Sequence, residues 1–177
     1  MLSLTRREAG NILGNEMELK SHSPEQTQLL GSYLGELAQE NDIFLLTGNL
    51  GTGKTCLVQG IARGLGIKEY AFSPSFVLVR EYHGRLPLYH IDLYRLDHMA
   101  EIADLGLEEY LCNNGVCVVE WAEKGLEVWA QNNLLLELNY VANCETQRII
   151  RFKPEGRRHS ELTKELVLIL SKGETWS

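Results

Sequence analysis

The sequence predicts a single α/β domain in which one β-sheet is flanked by helices. The first observation is a short apolar segment, residues 43–46, followed by the glycine-rich stretch GNLGTGKT (Gly48–Thr55) and a helical pattern. The second is the continuous apolar run Val116–Val119, which is typical of a strand buried on both faces. The third is an amphipathic helical pattern near residues 29–38 and again near 160–170. Because 177 residues are enough to bury a substantial core, we expect one domain.

The first predicted elements precede the glycine-rich stretch. We expect Met17–Lys20 to form a short edge strand. Ser23 has the residue type of a helix N-cap, with Pro24 at the first helical position and Gln26 as a capping-box partner. One face of the following helix is predicted to be apolar and to pack on the sheet. This face consists of Leu29, Leu30, Tyr33, Leu34, Leu37 and Ala38.

The remaining predicted elements follow the glycine-rich stretch. The helix after it is expected to end near Leu65, where Gly66 is a typical stop. A hairpin turn at His83–Arg85 is predicted to join two strands, 77–82 and 86–93. The other expected elements are short helices at Met99–Ala103 and Leu107–Cys112, a helical turn at Leu126–Ala130, strands at Leu134–Tyr140 and Arg148–Phe152, and an amphipathic helix at Ser160–Leu170.

The glycine-rich stretch matches the pattern G-x-x-x-x-G-K-[ST], which forms the phosphate-binding loop of nucleoside triphosphatases. Its glycines allow positive φ angles, so that backbone N–H groups turn toward the phosphates. Lys54 is expected to place a positive charge on the β- and γ-phosphates, and Thr55 to offer its hydroxyl to Mg²⁺. The alternative, a glycine-rich turn between two core elements, fits the strand before and the helix after less well. The residues expected to contact the nucleotide are Gly48, Asn49, Leu50, Gly51, Thr52, Gly53, Lys54 and Thr55.

Two carboxylates are candidates for a catalytic site because of their positions on predicted strands. Glu120 comes directly after the buried run 116–119, where an acidic group is well placed to bind the metal and to polarise an attacking water. The alternative is a solvated glutamate at a strand end. Asp92 is either solvent-facing or near the carboxyl edge of the sheet, where ligands bind in open α/β sheets, and the edge position is favoured. His90 shares its face of the strand, where a lone histidine is more often a structural residue.

Two neighbouring features are open to more than one interpretation. The segment Ser73–Phe76 is placed like a switch that senses the γ-phosphate. Arg95 is able to pair either with a phosphate or with a neighbouring carboxylate, and its spacing does not decide between them.

The charge balance of the chain is acidic. Asp and Glu outnumber Lys and Arg by 24 to 17, which gives a net charge of −7. A protein that grips nucleic acid by itself usually shows a basic face. If the protein acts on RNA, we therefore expect another protein to hold that RNA.

Composition also predicts the compartment. The cysteines have no metal-ligand spacing, which favours thiols in a reducing compartment. No apolar run approaches the ~20 residues needed to cross a membrane, and the N-terminal residues lack the apolar segment of a signal peptide. We expect a cytoplasmic protein with a loosely ordered extension at residues 1–16 and one domain at 17–177.

Five segments in this order and spacing resemble a known family: GNLGTGKT, SPSF, HIDLYRL, LGLEEYL and VVEWAEKG. They are similar to the TsaE family, small bacterial P-loop ATPases of tRNA threonylcarbamoyladenosine biosynthesis, and the likeness runs from about Met17 to the end. The resemblance implies a sheet with mixed parallel and antiparallel strands. It also implies a protein that binds and slowly hydrolyses ATP with Mg²⁺. Such a protein supports TsaB and TsaD, which transfer a threonylcarbamoyl group to adenosine 37 of tRNA, and meets tRNA only through that complex.

The resemblance also implies roles for individual residues. Lys54, Asp92 and Glu120 would serve catalysis, and Thr55 and Glu120 would bind Mg²⁺. Trp121 matches a family tryptophan near the nucleotide and the partner surface. Ser75 stands where the family usually has threonine, so the hydroxyl is kept. Arg148 is the best match to an arginine that approaches the nucleotide from the late strands of relatives.

Three other functions remain open from the residues alone. A small P-loop kinase would transfer phosphate to a nucleoside or metabolite, but such enzymes usually have an arginine-rich lid, which this sequence lacks. A GTP-driven switch would carry N-K-x-D and D-x-x-G, and neither occurs here. A binding module with structural ATP would keep its function after Glu120→Gln.

Overall fold

The computed structural model describes residues 16–104, 106–107, 110, 113–125, 129, 131–142 and 144–172. Three sequence predictions lie wholly or mostly outside these residues: the N-terminal extension, the helix at Leu107–Cys112 and the helical turn at Leu126–Ala130.

Seven strands of the described chain form one mixed sheet in the order β1-β7-β6-β2-β5-β4-β3. The four central strands, β6, β2, β5 and β4, are parallel to one another, and both edges are antiparallel. The arrangement confirms the predicted mixed sheet, and it makes β1 an edge strand as predicted. The strands are β1 Met17–Ser21, β2 Ile43–Thr47, β3 Val79–His83, β4 Pro87–Asp92, β5 Val116–Glu120, β6 Leu134–Val141 and β7 Cys144–Pro154.

Helices cover both faces of this sheet. Along β2, Phe44 and Leu46 belong to one buried apolar cluster and Ile43 and Leu45 to another, because alternate residues of a strand point to opposite faces. The larger cluster includes α1, α2 and α4, and the smaller includes α3. None of the helices in the described part of the chain is long and apolar enough to span a membrane. The helices are α1 Pro24–Leu37, α2 Lys54–Gly64, α3 Met99–Ala103 and α4 Gly156–Lys172, with a 3-10 turn at Ala122–Gly125.

Helices α1 and α2 approach each other through glycines. A Cβ atom added at Gly31 would lie 2.3 Å from the Leu57 carbonyl oxygen, and one added at Gly60 would lie 2.1 Å from the Gln28 carbonyl oxygen. The two backbones therefore touch, which fixes α2 closely against α1. The predicted apolar face of α1 is correct except at Leu29, which is 36% exposed.

Both ends of α1 are stabilised by hydrogen bonds with side chains outside the helix, Ser23 at its start and Arg85 at its end. Ser23 Oγ accepts a hydrogen bond from the Gln26 N–H, as predicted. The side-chain oxygen of Gln26 accepts a hydrogen bond from the N–H of His22. A capping box would instead use the N–H of the N-cap residue, Ser23. At the other end, the Arg85 guanidinium donates to the carbonyls of 35, 36 and 38, so the β3–β4 turn caps this helix.

An ion pair between the partly exposed Arg158 and the buried Asp42 ties α4 to the segment before β2. The Arg158 guanidinium donates to both carboxylate oxygens of Asp42, at 3.0 and 2.7 Å, and to the Leu37 carbonyl oxygen at 2.8 Å. His159 is buried beside this pair, with Nε2 3.6 Å from Asp42 Oδ1. Burial lowers the pKa of His159, although the charge of Asp42 acts in the opposite direction.

Several predicted boundaries were wrong. Strand β3 begins at Val79 rather than at 77, because the N–H groups of Val77 and Leu78 both bond to the Pro74 carbonyl oxygen, and Leu78 has φ 65°. Strand β7 is longer than predicted because its register with β6 begins at Cys144. Helix α4 begins at Gly156, four residues earlier than predicted.

Candidate functional site

The candidate site lies at the carboxyl ends of the parallel strands. Glu120 of β5 is in register with Leu46 of β2 on one side and with Asp92 of β4 on the other. Parallel strands end at the same edge, so the loop after β2 and both carboxylates meet there. A cavity of about 400 Å³ occupies this edge. It is lined by Leu50, Gly51, Gly53, Lys54, Thr55, Cys56, Ser73, Ser75, Asp92, Tyr94, Glu120 and Trp121.

The loop after β2 has the backbone conformation that its glycines permit. Gly48, Gly51 and Gly53 have φ angles of 129°, 78° and 99°, in the region that favours glycine. Gly53 is the N-cap of α2 and provides no side-chain cap, so no side chain covers the positive end of that helix dipole at this position. Such an end attracts an anion to the cavity.

Not every predicted loop residue faces the cavity. Thr52 is buried, and its hydroxyl donates to the Asn49 carbonyl oxygen at 2.8 Å within the loop. The side chain of Leu50 is 68% exposed at the cavity margin. The carbonyl oxygens of Gly48 and Asn49 accept hydrogen bonds from the Lys54 ammonium.

Lys54 is a buried cation inside the loop. Its Nζ donates to the carbonyl oxygens of Gly48 at 2.6 Å and Asn49 at 3.1 Å. It also lies 3.8 Å from the centre of the Trp121 ring, a cation–π distance. Burial lowers the pKa of Lys54, whereas the nearby carboxylates of Glu120, Glu123 and Asp92 oppose that shift.

The buried carboxylate of Glu120 contacts two partners through its two oxygens. Oε2 accepts from the Thr55 hydroxyl at 3.0 Å, and Oε1 lies 2.8 Å from Nε2 of the buried His90. Carboxylate and hydroxyl oxygens are hard ligands that suit Mg²⁺, which proteins usually bind with one or two carboxylates and substrate phosphates. The Thr55–Glu120 pair therefore fits that metal. Within the described residues, no cluster of three or more His, Cys, Asp or Glu is arranged as a metal site.

The second carboxylate connects β4 to the segment 73–75. Asp92 Oδ2 accepts from the hydroxyls of Ser73 at 2.5 Å and Ser75 at 2.9 Å, and Oδ1 accepts from the Tyr94 N–H at 2.9 Å. A carboxylate has about four acceptor positions, so three of them are used. The segment that the sequence interprets as a switch thus contacts the cavity through two serines that share one aspartate.

Trp121 lies over the loop lysine with an uncommon backbone conformation. Its φ angle is 60°, which is rare for a bulky residue and turns the chain sharply after β5. Its ring also contacts the ring of Tyr94, at a centroid distance of 5.0 Å. The side chain therefore forms one wall of the cavity.

Two residues of the late strands support the loop from outside. Arg148 donates to the Thr52 carbonyl oxygen at 2.9 Å and to that of Gly51 at 3.2 Å. It lies 4.2 Å from the Tyr140 ring, whose hydroxyl donates to the Leu50 carbonyl oxygen at 3.3 Å. Sequence reasoning gave Arg148 only by family resemblance and missed Tyr140, because no spacing links a strand end to a loop 90 residues earlier.

The fold and this edge define a class. A G-x-x-x-x-G-K-[ST] loop joins β2 to α2 at the carboxyl edge of a sheet with a parallel centre, so the protein is of the P-loop α/β class.

Comparisons with known proteins identify the family within this class. The family model for the threonylcarbamoyl adenosine biosynthesis protein TsaE matches residues 21–150. The tRNA threonylcarbamoyladenosine biosynthesis protein TsaE of Bacillus subtilis is 38% identical over 152 residues, which cover 85% of this chain and 94% of that protein. The same protein of Treponema pallidum is 40% identical over 127 residues, covering 72% and 94%. The chain belongs to the TsaE family.

A solved structure agrees with this assignment. The crystal structure of Bacillus subtilis YdiB superposes with a TM-score of 0.76 at 34% sequence identity. The match covers 87% of this chain and 95% of that one.

Proposed function

We propose that this protein binds ATP with Mg²⁺ and hydrolyses it slowly, in support of the threonylcarbamoyl modification of adenosine 37 in tRNA. The observation that carries the proposal is the contact between the Thr55 hydroxyl and the Glu120 carboxylate, directly beside Lys54 of the loop. This combination brings a metal-ligand pair and a phosphate-binding cation to one cavity.

The loop residues bind and orient the triphosphate. The Lys54 ammonium already contacts two loop carbonyls, so it is held near the place where phosphate oxygens would bind. Thr55 Oγ1 and Glu120 Oε2 would hold Mg²⁺. When bound there, the metal would neutralise charge on the β- and γ-phosphates.

Asp92 is the best-placed residue to orient an attacking water. One acceptor position of Oδ1 remains after the Tyr94 N–H is counted, and a water molecule is a suitable donor for it. The serine hydroxyls hold the carboxylate at the cavity wall while that water is aligned. Because they belong to segment 73–75, the same contacts provide a route by which the γ-phosphate controls that segment.

The partners in this proposal are TsaB, TsaD and, through them, tRNA. The net charge of −7 supports a role in which the other proteins hold the nucleic acid. We propose the cytoplasm as the compartment, because the described cysteines Cys56, Cys117 and Cys144 are free thiols, as is usual in a reducing compartment.

The test is phosphate release from ATP, measured for the protein alone and with TsaB, TsaD and tRNA. We expect release to rise with the partners and to collapse in Lys54→Ala and Glu120→Gln. Lys164→Ala and Glu165→Gln are matched controls, since both side chains are exposed on α4. Phosphate that moves to an added nucleoside instead of water would favour a P-loop kinase. A rate of phosphate release that does not change when TsaB, TsaD and tRNA are added would overturn the proposed role in the complex.

A further inference from the structure

His90 is a buried polar residue at the candidate metal pair. It lies on β4, two residues before Asp92 and on the same face. In the register of β4 and β5, His90 pairs with Val118, so Glu120 is its diagonal neighbour. The ring is 0% exposed, and Nε2 lies 2.8 Å from Glu120 Oε1.

The other ring nitrogen indicates which tautomer is present. Nδ1 is buried and has no hydrogen-bond partner among the residues that the structure describes. A hydrogen on Nδ1 would be an unsatisfied buried donor, whereas a bare lone pair there costs less. The contacts therefore favour the tautomer that carries its hydrogen on Nε2 and donates it to Glu120.

We propose that His90 is a positioning residue that aims the Glu120 carboxylate at the metal position beside Thr55. The hydrogen bond to Oε1 fixes a torsion that is otherwise broad and nearly two-fold in glutamate. With Oε1 held by His90, Oε2 is the oxygen directed to the Thr55 hydroxyl. This inference rests on the proposed function, because it concerns the Mg²⁺ that accompanies ATP.

The contacts of His90 predict two variants with opposite outcomes. His90→Gln keeps an amide donor at about the position of Nε2, whereas His90→Phe keeps the ring volume and removes the donor. Outer-shell partners of metal ligands typically contribute about 10–100-fold to metal affinity. We therefore expect the donor, rather than the ring, to decide the metal dependence of nucleotide binding.

The experiment measures binding of the non-hydrolysable imido analogue of ATP by calorimetry, once with Mg²⁺ and once with EDTA. The readout is the dissociation constant in EDTA divided by the dissociation constant in Mg²⁺, which measures how much the metal strengthens nucleotide binding. In His90→Phe this ratio should fall about tenfold while binding in EDTA stays unchanged. In His90→Gln the ratio should remain within about twofold of the wild type. If His90 only filled space in the core, the ring-preserving His90→Phe would be the better tolerated variant.

Two outcomes would overturn the inference: an unchanged ratio in His90→Phe, or an equal loss in His90→Gln and His90→Phe. If thermal melts show that His90→Phe does not fold, His90→Asn replaces it, since its shorter amide does not reach Glu120. If the wild-type protein bound the ATP analogue equally well in Mg²⁺ and in EDTA, the proposed function itself would be contradicted. The two failures are therefore distinguishable.

Discussion

Replacing Gly60 by alanine tests the close contact of α1 and α2, on which the position of the phosphate loop depends. The added Cβ would lie 2.1 Å from the Gln28 carbonyl oxygen and 2.8 Å from Gly31 Cα. Both neighbours are backbone atoms, so the helices must separate by about 1 Å to restore ordinary van der Waals distances. Overpacking of this kind costs about 1–3 kcal/mol, occasionally more, and backbone contacts favour the upper end of that range.

Helix propensity acts in the opposite direction. Alanine is about 1 kcal/mol more favourable than glycine inside a helix. The net expectation for Gly60→Ala is a free energy of unfolding lower by about 2 kcal/mol. For a chain of this size the melting temperature should fall by about 4–8 °C.

Urea unfolding and thermal melts followed by circular dichroism measure both quantities. Lys164→Ala, an exposed change on α4, is the control and should stay within about 0.5 kcal/mol. A Gly60→Ala protein as stable as the wild type, or more stable, would refute the reasoning. In that case propensity, rather than the helix contact, would decide the sign.

Three further predictions concern the buried Asp42, its neighbour His159 and the second carboxylate of the site, Asp92. Arg158→Met leaves the Asp42 carboxylate buried without its guanidinium and should lower the free energy of unfolding by about 3–5 kcal/mol in urea titrations; wild-type stability would contradict it. Burial lowers the pKa of His159 below its ordinary 6.5, so the unfolded chain binds the proton more readily. The free energy of unfolding should therefore fall as the pH drops below about 6.5, and His159→Gln should reduce this slope in melts between pH 7 and pH 5; an equal slope in both proteins would count against a buried neutral imidazole. Asp92→Asn should keep ATP binding within a few-fold and reduce phosphate release by about 10²–10⁴-fold, because it removes the charge that we propose to orient water; equal loss of binding and hydrolysis would show that Asp92 mainly holds the segment at Ser75.

The parts of the site that the sequence predicts are those encoded by local patterns. The loop Gly48–Thr55, the strand before it and α2 after it follow from one motif and its flanks. The buried run 116–119 likewise predicts β5, because a strand covered on both faces has no polar alternation.

The contacts that assemble the site depend on strand order and could not be predicted in this way. Asp92 and Glu120 are neighbours because β4 lies beside β5 in one particular register. The period-two pattern placed His90 on the face of Asp92, but its partner Glu120 is 30 residues away in the chain. Arg148 is 96 residues from the loop carbonyl that it contacts at Thr52.

The glycine contact of α1 and α2 could not be predicted from hydrophobic spacing, for a different reason. Gly31 and Gly35 on α1, and Gly60 and Gly64 on α2, are four residues apart within each helix, yet glycine contributes nothing to an apolar periodicity. Hydrophobic spacing therefore predicts that Leu29 is buried, whereas it is 36% exposed. The closest contact between the two helices is made by glycines, which have no side chains.

The most direct test of the central claim, that the loop binds the triphosphate of ATP, is the affinity of the full chain for ATP in Mg²⁺ before and after Lys54→Ala. Lys54 is the buried cation of the cavity, and Lys164→Ala is again the exposed control. We expect micromolar to millimolar binding in the wild type and in the control, and at least about a hundredfold loss in Lys54→Ala, since a charge-assisted phosphate contact is removed. Equal affinity in all three proteins would contradict the claim and place ATP elsewhere on the molecule.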